Sequence, residues 1–256
     1  MSLLEVKGLG INFGGLRAVS GFDLEIQDRE IVGIIGPNGA GKTTVFNMLS
    51  GYYLPTEGMI TFRGRRMNGL RPFQIAQQGI ARTFQNIRLF PQISVLDNVR
   101  IAFHPRAGYS LLDSILRTPR FGVREAELTE KALDLLAVFG LEDRAGIKAS
   151  GLPYGDQRRL EIARALAVQP DLLLLDEPAA GMNPSEVQQL TELVRFVKNK
   201  FNITVLLIEH QMGLVMNLCE RLVVMDFGEI IASGLPQDVR DNPKVLEAYL
   251  GRGAVA

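Results

Sequence analysis

The segment Gly36-Pro37-Asn38-Gly39-Ala40-Gly41-Lys42-Thr43 constrains what this chain can fold into more than any other stretch. It satisfies the phosphate-binding pattern G-x-x-x-x-G-K-[ST] in full. The flanks agree with it. Glu30–Ile35 is a compact apolar run suited to a buried parallel strand, and Lys42–Ser50 reads as a helix. Glycines allow backbone N–H groups to converge on phosphate oxygens, and a helix starting near Gly41 adds a dipole that favours anions. The expected nucleotide-binding set is therefore Gly36, Pro37, Asn38, Gly39, Ala40, Gly41, Lys42, Thr43 and Thr44. Lys42 would reach the terminal phosphates of ATP, and the Thr43 hydroxyl would ligate Mg2+.

The rest of the chain supplies the sheet that such a loop needs. Leu3–Val6, Phe22–Ile26 and Gly58–Phe62 read as strands near the start. Asp171–Asp176, Ile203–Ile208 and Arg221–Met225 read as strands in the second half, with an amphipathic helix at Ser185–Lys198. Between them, Ser94–Leu166 holds no good strand candidate. Val95, Val99 and Phe103, and again Ala132, Leu135, Leu136 and Phe139, fall at helical spacing. Strand and helix alternation on either side of a helical insert predicts an α/β fold with a parallel sheet.

Leu172–Glu177 is the second chemical element: an apolar strand that delivers Asp176 and Glu177 at its C-terminal end, where α/β sites lie. Alone, an apolar strand ending in two acids means little. Beside a phosphate-binding loop, Asp176 is expected to hold Mg2+ and Glu177 to activate the attacking water as general base.

Composition narrows the setting. In 256 residues, 28 Lys plus Arg balance 28 Asp plus Glu, so nothing points to a nucleic-acid partner. One cysteine, Cys219, excludes an internal disulfide, and two histidines are too few for an ordinary multi-histidine metal site. No apolar run reaches the roughly 18 residues needed to span a bilayer, and the first ten residues lack the apolar core of a signal peptide. A cytoplasmic protein that acts at a membrane only through partners is expected.

Leu152–Leu166 resembles the signature and following helix of ATP-binding cassettes of ABC transporters. The resemblance covers almost the whole chain, 3–251, with a helical subdomain at about 87–165. It implies a P-loop NTPase cassette with a RecA-like parallel-sheet core, an N-terminal antiparallel β subdomain and an α-helical subdomain. It also implies that Gln85 touches Mg2+ and the attacking water, that His210 contacts the γ-phosphate, and that Phe13 stacks on adenine. Burial of Phe13 in the small sheet is the alternative. Pro153, Tyr154, Gly155 and Asp156 would contact a partner cassette's ATP.

More narrowly, the chain is similar to the ATP-binding proteins of Liv-type, high-affinity branched-chain amino acid importers, and to the longer of their two cassettes. The residues that carry this are Asn12–Leu16, Arg82–Gln85, Arg88–Phe90, Glu177–Pro184 and the C-terminal segment 228–251, and the long segment His104–Glu125 carries the likeness to the longer cassette. The resemblance implies two membrane permease subunits, a second cassette and an extracytoplasmic amino-acid-binding protein. A heterodimer is the preferred form and a homodimer the alternative. Location at the cytoplasmic face of the plasma membrane follows from the same resemblance. Lipid export, a non-transport ABC ATPase and a non-hydrolysing regulatory module are the rivals.

The signature departs from the usual Leu-Ser-Gly-Gly-Gln. Pro153 replaces the serine, and Asp156 brings negative charge towards a phosphate. Two unit charges about 6 Å apart repel by about 3 kcal/mol at an effective dielectric of ~20. Weaker closure on ATP is therefore one expectation; the other is that the helix after Asp156 does the main work. Asn183 replaces a usual aspartate. In the insert 107–120, Tyr109, Leu112, Ile115 and Leu116 are near helical spacing, and either receive a membrane subunit or pack within the insert.

Overall fold

The computed structural model describes residues 2–106, 108 and 111–250, without the side chains of Arg106, Leu111, Leu112 and Leu250. Tyr109, the side chain of Leu112 and residue 251 of the C-terminal segment lie outside the described residues. The chain divides into two compact units, one of residues 1–85 with 171–256 and one of 86–170.

The elements in chain order begin with β1 (Leu4–Phe13), β2 (Leu16–Ile26), β3 (Ile31–Ile35), α1 (Lys42–Leu49), β4 (Glu57–Phe62), β5 (Arg65–Arg66), α2 (Pro72–Gln77) and β6 (Ile80–Arg82). The second unit carries α3 (Val95–Phe103), α4 (Leu111–Leu116), α5 (Pro119–Val138) and α6 (Tyr154–Ala167). The chain then returns to the first unit with β7 (Leu172–Asp176), α7 (Pro184–Phe201), β8 (Thr204–Ile208), α8 (Met212–Leu218), β9 (Arg221–Asp226), β10 (Glu229–Gly234), α9 (Pro236–Arg240) and α10 (Pro243–Leu250).

Within the first unit, β2-β1-β4-β5 form an antiparallel sheet, and β10-β9-β3-β8-β7-β6 form a second one. In the latter, β9, β3, β8, β7 and β6 run parallel and only β10 is antiparallel, at the edge. Strands β3, β7 and β8 are buried along their whole length, as apolar runs covered on both faces must be. Their parallel alignment brings their C-terminal ends together, so Ile35, Asp176 and Ile208 deliver the following residues to one edge of the sheet. One core joins both sheets: Phe22 and Phe62 from the antiparallel sheet cluster with Phe46 of α1 and with Leu174 and Ile208.

In the second unit, α3 packs on α5 and α6, and α5 on α6. Val95, Val99, Phe103, Ala132, Leu135, Leu136 and Phe139 are all buried, in agreement with their helical spacing. Ser94 caps α3 by accepting from Asp97 N–H at 2.9 Å, and Thr118 caps α5 ahead of Pro119. A buried ion pair, Arg158–Glu161 at 2.7 Å, lies within α6. In contrast to the interior alternative, Ile115 and Leu116 are 68% and 71% exposed. No helix among the described residues is long and apolar enough to cross a membrane.

Candidate functional site

The loop after β3 is shaped by contacts that only glycine permits. Gly36 has φ 146°, and a Cβ there would lie 2.0 Å from the Met225 carbonyl oxygen. Gly41, the residue before α1, has φ 96°, and a Cβ would lie 2.8 Å from the Ala18 carbonyl oxygen. Pro37 is half-buried, Asn38 and Gly39 are exposed, and Ala40 is buried; its carbonyl accepts from Gly228 N–H at 3.1 Å.

Lys42, 7% exposed, folds back over this loop. Its Nζ donates to the carbonyls of Gly36 at 2.7 Å and Pro37 at 2.8 Å. Burial pushes the ammonium below its ordinary pKa, while the charge of Glu177 acts in the opposite sense. A cation desolvated in this way gains from an incoming anion. Thr43 is exposed and Thr44 half-buried on the first turn of α1. On α10, burial raises the pKa of the Tyr249 hydroxyl, and the Gly36 backbone acts in the opposite sense.

The three side chains expected at the water-activating centre meet. Gln85 Nε2 donates to Glu177 Oε2 at 2.8 Å, and His210 Nδ1 lies 3.7 Å from the same oxygen. Glu177 adopts the left-handed conformation, φ 44°, rare for a residue with a side chain, directly after β7. Its N–H still bonds to the Ile208 carbonyl at 3.0 Å, so the strand pairing continues through the turn.

Asp176 is 3% exposed, and Arg82 Nη2 donates to its Oδ2 at 2.7 Å. Arg82 Nη1 bonds to Asn47 Oδ1 and Ser50 Oγ, both at 2.8 Å. The rings of Phe84, Phe46 and Tyr52 lie 5.0, 5.5 and 5.9 Å from the guanidinium carbon. This one side chain therefore ties the helix after the phosphate-binding loop to the end of β7. Arg82 thus occupies Oδ2 of Asp176. Asp176 Oδ1, the Thr43 hydroxyl and the amide oxygen of Gln85, whose nitrogen faces Glu177, are oxygen donors of the kind a hard divalent cation accepts.

Phe13 ends β1 with 44% exposure and meets Tyr53 edge-on, with ring centroids 5.2 Å apart. It is not in the core of the small sheet. Sequence reasoning missed Tyr53, Arg82 and Glu209 as site residues. Glu209 had a usable signal, since it follows the apolar strand β8 just as Asp176 closes β7.

In the second unit, Pro153 precedes α6 with φ −55° and ψ 154°, and Tyr154, Gly155 and Asp156 form the first turn. Asp156 is not an isolated negative charge. Its Oδ2 is paired with Arg144, and Arg159 Nη1 lies 3.9 Å from Oδ1. The repulsion expected from the sequence is offset because the residues of a short 3-10 turn, Glu142–Arg144, bring a cation to it. Asn183 also has a local role. Its Oδ1 accepts from Glu186 N–H at 3.0 Å, Glu186 Oε2 accepts from Asn183 N–H at 2.9 Å, and Pro184 follows, so Asn serves as the helix cap.

Comparison with known proteins adds the following. The family model for ABC transporters matches residues 19–180, and that for the branched-chain amino acid ATP-binding cassette transporter matches 229–255. The chain is 50% identical over 249 residues to the high-affinity branched-chain amino acid transport ATP-binding protein LivG of Salmonella typhimurium, covering 97% of this chain and 98% of that protein. It is 46% identical to BraF of Pseudomonas aeruginosa, which bears the same description, with the same coverage of both chains. The crystal structure of a nucleotide-free ATP-binding cassette from an ABC transporter superposes with a TM-score of 0.85 at 33% identity, covering 98% of this chain and 100% of that one.

Proposed function

Because this chain belongs to the ABC transporter family of ATP-binding cassettes, we propose that it energises the uptake of branched-chain amino acids through partner membrane subunits. It is a nucleotide-binding ATP hydrolase. The observation that carries the substrate class is the match of the C-terminal segment 229–255 to the branched-chain amino acid cassette model, together with near full-length identity to LivG. That combination favours this reading over lipid export and over a non-transport ABC ATPase.

The roles assigned to individual residues draw on the resemblance and are supported by the contacts described above. Loop N–H groups from Gly36 to Thr44 and the Lys42 ammonium would hold the phosphates. Phe13 would stack on the adenine, its ring braced by Tyr53. Thr43, Asp176 and Gln85 would hold Mg2+, which supplies charge neutralisation at the phosphates when bound. Glu177 would take a proton from water as that oxygen bonds to the terminal phosphorus and the bond to the ADP oxygen breaks. Gln85 would orient the Glu177 carboxylate, and His210, beside Glu177 Oε2, would contact the γ-phosphate. A fixed donor set of this kind acts mainly by positioning and electrostatics.

Pro153, Tyr154, Gly155 and Asp156 would face the ATP of a second cassette, with a heterodimer preferred. Two permease subunits and, through them, an extracytoplasmic amino-acid-binding protein complete the assembly at the cytoplasmic face of the membrane. The test is uptake into proteoliposomes holding this chain with its co-purified membrane subunits. ATP-dependent accumulation of leucine, isoleucine or valine, lost with Glu177→Gln, is expected. ATP-dependent release of lipid without amino acid uptake would overturn it.

A further inference from the structure

We infer that Glu209 is a positioning residue: its buried carboxylate clamps the loop after β7 to the loop after β8, and so holds His210 at its spacing from Glu177. The inference rests on the proposed roles of Glu177 and His210. Glu209 is completely buried, yet it makes no ion pair among the described residues. Instead, Oε1 accepts from Ala179 N–H at 2.8 Å, and Oε2 accepts from His210 N–H at 3.0 Å and Gln211 N–H at 3.3 Å. Gln211 completes the clamp, since its Nε2 donates to the Ala179 carbonyl at 2.9 Å. Both backbone polar groups of Ala179 are thereby held by the neighbouring loop, through the side chains of Glu209 and Gln211.

The sheet explains the geometry. Asp176 and Ile208 are register partners on adjacent parallel strands, so Glu177 and Glu209 leave the sheet side by side. The strand hydrogen bonds between them end with Glu177 N–H to the Ile208 carbonyl, and both chains then turn into loops. A carboxylate that accepts backbone N–H bonds from both loops makes them one body. A buried carboxylate is costly to desolvate, and three N–H donors offset that cost where a neutral side chain would leave those donors unpaired. The result is that His210 Nδ1 stays 3.7 Å from Glu177 Oε2 although half of its side chain is exposed.

Glu209→Gln is the informative change, because it keeps the shape. An amide presents N–H groups where one loop also presents N–H, so one side of the clamp must let go. In the full chain, kcat for ATP hydrolysis should fall roughly 10- to 100-fold, as for small misplacements of reacting groups, with KM for ATP unchanged. In a His210→Ala background the same change should have little further effect. The chain has only two histidines, so imidazole NMR signals separate cleanly. Those of His210 should shift in Glu209→Gln and those of His104 should not. If Glu209→Gln fails to fold, Gln211→Ala removes only the Ala179 carbonyl contact and should move the His210 signals with a several-fold lower kcat. Unmoved His210 signals with parental kcat in either folded variant would overturn the clamp, as would an equal loss in the His210→Ala background. If His210→Ala alone leaves kcat unchanged, the assignment of His210 fails and the clamp's role fails with it. If His210→Ala lowers kcat and Glu209→Gln does not, only the clamp fails.

Discussion

Arg82 donates to Asp176 at 2.7 Å with the two side chains only 6% and 4% exposed, so the carboxylate proposed to hold the metal carries a permanent protein counter-ion. The pair joins β6 to the end of β7, and Asn47 and Ser50 hold the far side of the guanidinium. Removing one partner of a buried pair leaves an uncompensated charge and costs about 3–5 kcal/mol. Arg82→Met should lower unfolding stability by that amount in urea titrations, and Arg82→Met with Asp176→Leu should recover most of it. A single variant within about 1 kcal/mol of the parent would contradict the assignment of this pair as structural.

Glu177→Gln should keep ATP binding and reduce hydrolysis about 100-fold or more, the range for removal of a general base. The amide preserves the side chain's volume beside Gln85 and His210 but cannot accept the proton. Equilibrium binding of ATP and single-turnover hydrolysis, measured on the same preparation, separate the two effects. Hydrolysis at the parental rate would remove Glu177 from the mechanism.

Phe13 and Tyr53 form an exposed edge-to-face pair at the end of β1. Loss of a base-stacking ring costs about 1–3 kcal/mol. Phe13→Ala should therefore weaken ATP binding by roughly 5- to 150-fold, converted at about 1.4 kcal/mol per decade, while Phe13→Tyr keeps most of the affinity. Tyr53→Ala should give a smaller loss, because it frees the ring without removing it. Calorimetric titration with ATP reads all three, and an unchanged affinity in Phe13→Ala would place the adenine elsewhere.

Asp156 is paired with Arg144, both partly exposed. Such pairs contribute about 0–1 kcal/mol to stability. Asp156→Gln should leave the melting profile and the ATPase rate nearly unchanged. Arg144→Ala should slow ATP hydrolysis instead, because it removes the nearer of the two cations that oppose the Asp156 charge at the signature. Equal rates in Arg144→Ala and the parent would show that this charge does not reach the nucleotide.

Cys219 is 7% exposed, and burial raises its thiol from an ordinary 9.0 to about 12, with Glu209 and Glu220 adding to the shift. The folded pKa lies above the unfolded one, so the thiol's contribution to stability is complete below pH ~9 and lost as pH rises from there through about 12. Cys219→Ala should flatten the alkaline limb of a stability-against-pH curve. In the native protein a thiol reagent should label Cys219 only after denaturation, and rapid native labelling would contradict its burial.

The phosphate-binding loop, the strand ending in Asp176 and Glu177, and the helical spacing of Val95, Val99 and Phe103 were legible because each is written in contiguous residues. A glycine at position 36 or 41 declares its backbone requirement locally, and a five-residue apolar strand declares its burial. Resemblance extended that reading to Gln85 and His210, and the sheet brings both to the same Glu177 oxygen. The C-terminal strand β10 and helices α8 to α10 were not read, since short amphipathic segments carry weak periodicity.

What the sequence by itself determined was the nucleotide-binding chemistry and the α/β class, since loop shape, strand burial and helix spacing depend on near neighbours in the chain. The partners of Asp176 and Glu209 were decided by the tertiary structure alone. Arg82 lies 94 residues from Asp176, and Glu209 lies 30 from Ala179. Which of them meet depends on strand order and turn geometry. An unpaired buried charge is too costly to persist, so the fold selects the partner that neutralises or hydrogen-bonds it.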